Sequence, residues 1–137
     1  MPLRILLIED NDDARQLLRW MLELEGHEVA AAADGRDGIT RCRDFRPDVA
    51  IVDISLPDMT GYDVARQIRA TSHGSKIVVI AMTGYSSPDD RGRAIDAGFD
   101  LHLVKPVDPD DLVELLAGRA AGGVGHALRL RRYLLRA

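Results

Sequence analysis

The sequence predicts one doubly wound α/β domain, with five β-α repeats on a parallel sheet in the order 2-1-3-4-5, and three observations lead there. Three short apolar runs, Ile5-Leu6-Leu7-Ile8, Val49-Ala50-Ile51-Val52 and Ile77-Val78-Val79-Ile80-Ala81, are continuous rather than alternating. Parallel strands covered by helices on both faces have this pattern. Segments of helical period separate the strands, and 137 residues fit one ordinary domain, long enough to close a hydrophobic core.

Taken in order, the first strand is Arg4 to Ile8. Ala14, Leu17, Leu18, Met21 and Leu22 then form one apolar stripe at spacings of three and one, the mark of an amphipathic helix. Gly26 stops that helix, and Glu28 to Ala32 is a weaker second strand. Ile39, Cys42 and Phe45 repeat every three residues, as a second helix does. After the third strand, Val64, Ala65 and Ile68 make a third helical stripe, and the fourth strand follows. Ser87-Pro88-Asp89-Asp90 offers a capping hydroxyl, a proline at the first helical position and acids in the first turn. Gly98 stops that fourth helix, and Asp100 to Val104 is the weaker fifth strand. Asp108-Pro109-Asp110-Asp111 repeats the start signal before a last stripe of Leu112, Leu115 and Leu116. With right-handed crossovers, five such repeats favour the flavodoxin-like order. No internal repeat is present.

The expected domain covers residues 1–118, with 119–137 as a Gly/Ala linker and a basic Arg/Leu tail. From Gly118 to Gly125 the composition is that of a linker, and His126 to Ala137 alternates Leu with Arg. A frayed, flexible tail is the plainer expectation; a contact helix, or the stub of a connection to something larger, is the alternative. The formal net charge of −4 is unevenly placed: the last 19 residues hold five Arg and no acid, while residues 1–118 hold all 22 acids. An acidic body argues against nucleic acid as the partner of the folded domain. No apolar run approaches the ~20 residues of a membrane span, and no signal peptide is evident. The single Cys42 excludes an internal disulfide and suits a small buried hydrophobe. A reducing cytoplasm is the expected location.

Ligands of an open parallel sheet bind beyond the carboxyl ends of its strands. There the sequence places Glu9 and Asp10 after the first strand, Asp53 after the third, Thr83 after the fourth and Lys105 after the fifth. Three carboxylates in one pocket repel one another, so either some are protonated or a cation sits among them. Oxygen ligands without His or Cys point to a hard cation, and Mg2+ commonly works beside phosphate oxygens. Asp53 is the natural nucleophile for an aspartyl-phosphate, because the apolar strand before it fixes its position. Lys105 would balance the phosphoryl charge and the Thr83 hydroxyl would hydrogen-bond one of its oxygens. Singly, Asp or Thr after a strand is an ordinary loop residue; four of five strands ending in the right residue is the stronger observation.

These motifs, Ile8-Glu9-Asp10-Asn11, Val52-Asp53-Ile54-Ser55-Leu56-Pro57, Met82-Thr83-Gly84 and Val104-Lys105-Pro106, resemble a response-regulator receiver domain of two-component signalling from residue 3 to about 117. Met82-Thr83-Gly84-Tyr85 and Gly98-Phe99-Asp100 with His102 resemble receivers attached to hybrid histidine kinases. The resemblance implies that Asp53 is the phosphoacceptor and that Mg2+ is held by Asp10, by Asp53, by Glu9 largely through water, and by the main-chain carbonyl of Ser55. It implies that Thr83 moves toward the phosphoryl group, that Lys105 pairs with it, and that the Lys105-Pro106 bond is cis. Gly84 fits the family's need for a small residue there. The family's second switch residue, usually Tyr or Phe, falls on His102, which either does that job as a smaller ring or sits half-exposed at an edge strand. Ser55 and Tyr85 fall where the resembled family tunes phosphoryl lifetime, which the sequence does not give.

The implied donor is a histidine kinase or phosphotransfer domain, with small acyl phosphates as substitutes. The implied output is a surface over residues 85–117 that meets an unidentified protein target; homodimerisation is left open. The protein is expected to be no enzyme in the ordinary sense, but a phosphoacceptor that assists its own phosphorylation and dephosphorylation. The start at Met1 slightly favours a free-standing regulator over a receiver cut from a longer kinase. A competing reading is a non-phosphorylated pseudo-receiver acting as an interaction module, which predicts loss of a site residue; none is lost. An aspartyl-nucleophile phosphatase is a third, but Asp53-Ile54-Ser55 lacks the second acid for general acid/base work.

Overall fold

A computed structural model describes residues 2–84, 87–121 and 133–135. Five strands, β1 (Arg4–Ile8), β2 (Glu28–Ala32), β3 (Val49–Asp53), β4 (Val78–Thr83) and β5 (Leu101–Val104), form one sheet in the order β2-β1-β3-β4-β5. Every neighbouring pair is parallel. The helices are α1 (Asp12–Leu24), α2 (Gly35–Phe45), α3 (Gly61–Arg69), α4 (Pro88–Ala97) and α5 (Pro109–Ala121). The predicted flavodoxin-like architecture is what the chain adopts.

The pleat of the apolar strands sorts their side chains to two faces. Ile5, Leu7, Val49, Ile51 and Ile80 meet Leu18 and Leu22 of α1 and Leu112, Leu115 and Leu116 of α5. Leu6, Ile8, Ala50, Val52 and Val79 meet Ile39 and Cys42 of α2, Val64, Ala65 and Ile68 of α3, and Ala94 and Ala97 of α4. Cys42 is fully buried, and burial raises its thiol pKa, so it serves as a core hydrophobe.

Helix starts follow the capping rule. Asn11, Asp34, Thr60 and Ser87 accept from Ala14, Asp37, Asp63 and Asp90 main-chain N–H groups, and the Asp108 side chain accepts from Asp110 N–H. Gly98 ends α4 with φ of 105°, a left-handed turn that other residues resist.

The structure departs from expectation at three boundaries. β4 runs on through Met82 and Thr83 because the ladder continues there, Asp53 pairing with Met82 and Thr83 with Val104. α5 continues past Gly118 to Ala121. Within the expected tail, residues 133–135 lie beside β5: Leu134 bridges Leu101 antiparallel, and Leu135 is 4% exposed in the α4-side core. Residues 122–132 and 136–137 lie outside the described residues.

Candidate functional site

The carboxyl ends of β1, β3 and β4 and the turn after β5 place the chemistry at one rim of the sheet. Asp53, the last residue of β3, is 2% exposed, Glu9 after β1 is 3% exposed, and Asp10 beside it is open to solvent. One carboxylate oxygen from each of Glu9, Asp10 and Asp53 lies within 4.8 Å of the others. Lys105 Nζ donates to Asp53 Oδ2 at 2.7 Å and lies 3.5 Å from Glu9 Oε1. The Ser55 N–H donates to Asp53 Oδ1 at 3.0 Å, so both oxygens of Asp53 are held. The Lys105-Pro106 peptide bond is cis.

Electrostatics follow from this crowding. Burial, then the hydrogen bond and repulsion from Asp53, raise the pKa of Glu9 from 4.5 to about 7. Burial opposes the charge of Lys105, but its hydrogen bond and attraction to Asp53, reinforced by Glu9, raise its pKa overall. Lys105 therefore stays cationic, and Glu9 can hold a proton near neutrality. A buried acid driven to that point beside two others, with no nitrogen or sulfur ligand in the cluster, is the donor chemistry of a hard cation. The carboxylates fit Mg2+.

Loop geometry supports the acids. Ser55 bridges Thr60, turning the β3–α3 loop back on itself, and Gly61 N–H donates to Ile54 O at 2.8 Å. A Cβ at Gly61 would stand 2.5 Å from the main-chain oxygen of Asp53, so only glycine lets α3 begin this close to the site. Sequence reasoning missed Gly61, whose signal is a glycine at the first position of a helix. It also missed Asp58, whose carboxylate accepts from the N–H groups of Gly35 and Arg36 and ties this loop to α2.

Thr83, the last residue of β4, is buried, and β4 runs beside β3, where Ile54 N–H donates to Met82 O. His102 lies on β5 opposite Ala81 and is 8% exposed, so it is not the half-exposed edge residue of one expectation. Burial, then the nearby charge of Arg91, lower its pKa, which keeps the ring neutral at pH 7. Thr83 and His102 line one small cavity with Ile54, Tyr62, Ala81 and Leu135. Gly84 leaves open space, with nothing within 4 Å of where a Cβ would stand. Tyr85 lies outside the described residues.

A cleft of about 510 Å³ runs from Glu9 and Lys105 past Pro106 to Leu17 of α1. Leu17, Trp20 and Leu24 continue from it as an exposed apolar stripe, an uncommon feature on a charged surface. Among the described residues, no helix is long and apolar enough to cross a membrane.

The chain has many relatives of known kind. The family profile described as "Response regulator receiver domain" matches residues 5–117. An uncharacterized 14.6 kDa protein of Leptolyngbya boryana is 35% identical over 82% of this chain and 86% of its own. The transcriptional regulatory protein AfsQ1 of Streptomyces coelicolor is 39% identical over 75% of this chain but 44% of its own. The chain spans about half the length of several such regulators, among them the response regulator MprA of Mycolicibacterium vanbaalenii at 48%. Among solved structures, the Vibrio cholerae chemotaxis protein CheY4 superposes with a TM-score of 0.81 at 30% identity, over 85% of this chain and 98% of its own. The receiver domain of the sensor histidine kinase PA1611 of Pseudomonas aeruginosa, which holds a magnesium ion in its active-site cleft, gives 0.78 at 31% identity, over 90% and 100%.

Proposed function

The chain belongs to the response regulator receiver domain family of two-component signalling, and on that premise we propose that Asp53 accepts a phosphoryl group from a phosphohistidine and passes the signal to a protein target. The observation that carries this reading is Lys105 held at 2.7 Å on Asp53 within a cluster of three carboxylates. An anionic nucleophile with a fixed cation beside it suits attack on phosphorus.

A carboxylate oxygen of Asp53 attacks phosphorus, the P–N bond to the donor imidazole breaks, and its electrons return to the ring nitrogen, which takes up a proton. Asp10, Asp53, Glu9 and the Ser55 carbonyl would hold Mg2+, which would supply the positive charge that lets one anion approach another. Lys105 pairs with a phosphoryl oxygen, and the Thr83 hydroxyl turns to donate to another. Water attack on phosphorus later returns carboxylate and inorganic phosphate. The domain thus assists its own phosphorylation and dephosphorylation and turns over no separate substrate.

The donor is a histidine kinase or phosphotransfer domain. Its docking face is the Leu17, Trp20 and Leu24 stripe, because that stripe is continuous with the cleft over Glu9 and Lys105. Donors of this type are charged inside the cell, so the working location is the cytoplasm. The shift of Thr83 biases a two-state equilibrium of the surface over residues 85–117, which meets the target.

The test is the intact mass after incubation with a small acyl phosphate, with and without Mg2+, for the native protein and for Asp53→Asn. A Mg2+-dependent gain of one phosphoryl group that Asp53→Asn abolishes is expected. No gain with either acyl phosphate or a phosphohistidine donor would instead make the chain a pseudo-receiver, an interaction module on the same fold.

A further inference from the structure

β5 is the outer strand of the sheet, and an outer strand presents unpaired main-chain groups that a further strand can occupy. Here residues 133–135 occupy it. Leu134 bridges Leu101 antiparallel, and Leu135 N–H donates to Asp100 O at 3.5 Å. Arg91 of α4 clasps the segment from the other side, donating through Nη2 to the carbonyls of Leu134 and Leu135 at 3.2 and 3.4 Å. The side chains alternate as a strand's do: Leu134 packs with the α5-side core, and Leu135 enters the α4-side core.

The place Leu135 fills has consequences. It shares with Thr83 and His102 a residual cavity of about 10 Å³, room for one water at most. None of these three side chains can move inward unless another yields. The bonds that hold the segment are few and long, so it stays mainly through burial of Leu135, and reshaping that socket is enough to free it.

We propose that residues 133–135 are a resident intramolecular ligand of the β5 edge, and that phosphorylation at Asp53 releases them by drawing Thr83 out of the wall of the Leu135 socket. The release half rests on the phosphoacceptor reading. His102, too small to span the socket as a larger ring would, takes up the space behind Thr83, and Leu135 loses its fit. The freed surface is then open to an extended, leucine-bearing segment of the target, so the chain's own end competes with the partner. Coupling is reciprocal: a chain without the plug binds the phosphoryl analogue more tightly.

The experiment is hydrogen–deuterium exchange by mass spectrometry on the full chain, with and without beryllofluoride and Mg2+, with binding of the analogue measured separately. Native protein is compared with Leu135→Asp and with Arg91→Ala, which loosens the clasp without placing a charge in the core. Without the analogue, peptides over 101–104 and 133–135 are expected to be protected in native protein and exposed in both variants. Equal exchange in all three would overturn the docking. With the analogue bound, exchange of 133–135 in native protein is expected to rise about tenfold, and both variants are expected to bind the analogue about tenfold more tightly. Bound analogue with unchanged exchange would overturn release while leaving the phosphoacceptor reading intact. Absence of any binding would overturn both release and that reading, and the docking would still be decided by the comparison without analogue.

Discussion

Replacing Glu9 by Gln in metal-free protein is expected to stabilise the fold at pH 8 and to do so several-fold less at pH 5. Glu9 is 3% exposed, with a folded-state pKa of about 7 against 4.5 unfolded. Between those values the folded state holds a proton that the unfolded state has lost. Stability therefore falls as pH rises from about 4.5, and the loss is complete above about 7. At 1.36 kcal/mol per unit, that loss is about 3 kcal/mol. Gln keeps the shape of the protonated acid and removes the ionisation, so the loss disappears. For a chain this long the gain is worth roughly 10 °C in Tm. The Lys105 contact to Glu9 is the longer of its two, 3.5 Å against 2.7 Å to Asp53, so its removal offsets only part of that gain. The assay is thermal and urea unfolding in EDTA at pH 5 and pH 8. A shift of the same size at both pH values, or a destabilised variant at pH 8, would refute the reasoning. Adding Mg2+ at pH 8 should raise the Tm of native protein more than that of Glu9→Gln, because the cation answers the same repulsion.

Two further outcomes follow from the site. Gly61→Ala is expected to destabilise the fold by about 1–3 kcal/mol and to slow Mg2+-dependent phosphorylation, since the new methyl meets the Asp53 main-chain oxygen at 2.5 Å; an unfolding curve matching native protein would count against it. Trp20→Ala is expected to slow transfer from a phosphohistidine protein by ~10-fold, as loss of an exposed aromatic anchor does, while leaving acyl-phosphate labelling unchanged. Equal loss with both donors would mean that the α1 stripe is not the docking face.

Much of the fold could be read locally. Continuous apolar runs can be satisfied only by strands covered on both faces, so Ile5–Ile8 and Val49–Val52 announced their burial before any contact was known. The Ser87 and Asp108 caps were legible because a cap acts within three residues. The site was legible for a topological reason: parallel strands all end at one rim, so residues far apart in sequence, Glu9, Asp53, Thr83 and Lys105, must meet there once each strand end is known. Glu9, Asp53 and Lys105 do lie together, while Thr83 lines a neighbouring cavity with His102.

What only the tertiary structure decided depends on contacts between distant segments. Glu9 and Asp10 are neighbours with the same charge, yet one is buried against Asp53 and the other faces water; the path of the chain leaving β1 decides that. Gly61 reads as an unremarkable helix start until α3 is seen against the Asp53 carbonyl. His102 could be an edge residue or a core one, and the β4 ladder and Leu135 place it in the core. The seat of Leu135 is the extreme case. In the sequence it is one leucine in a stretch of alternating Leu and Arg whose pattern names no partner, because those partners, Asp100, Leu101 and Arg91, lie on or beside an edge strand and a helix more than thirty residues away. Local composition carries backbone preference and burial, whereas pairing across such distances exists only once the chain has closed on itself.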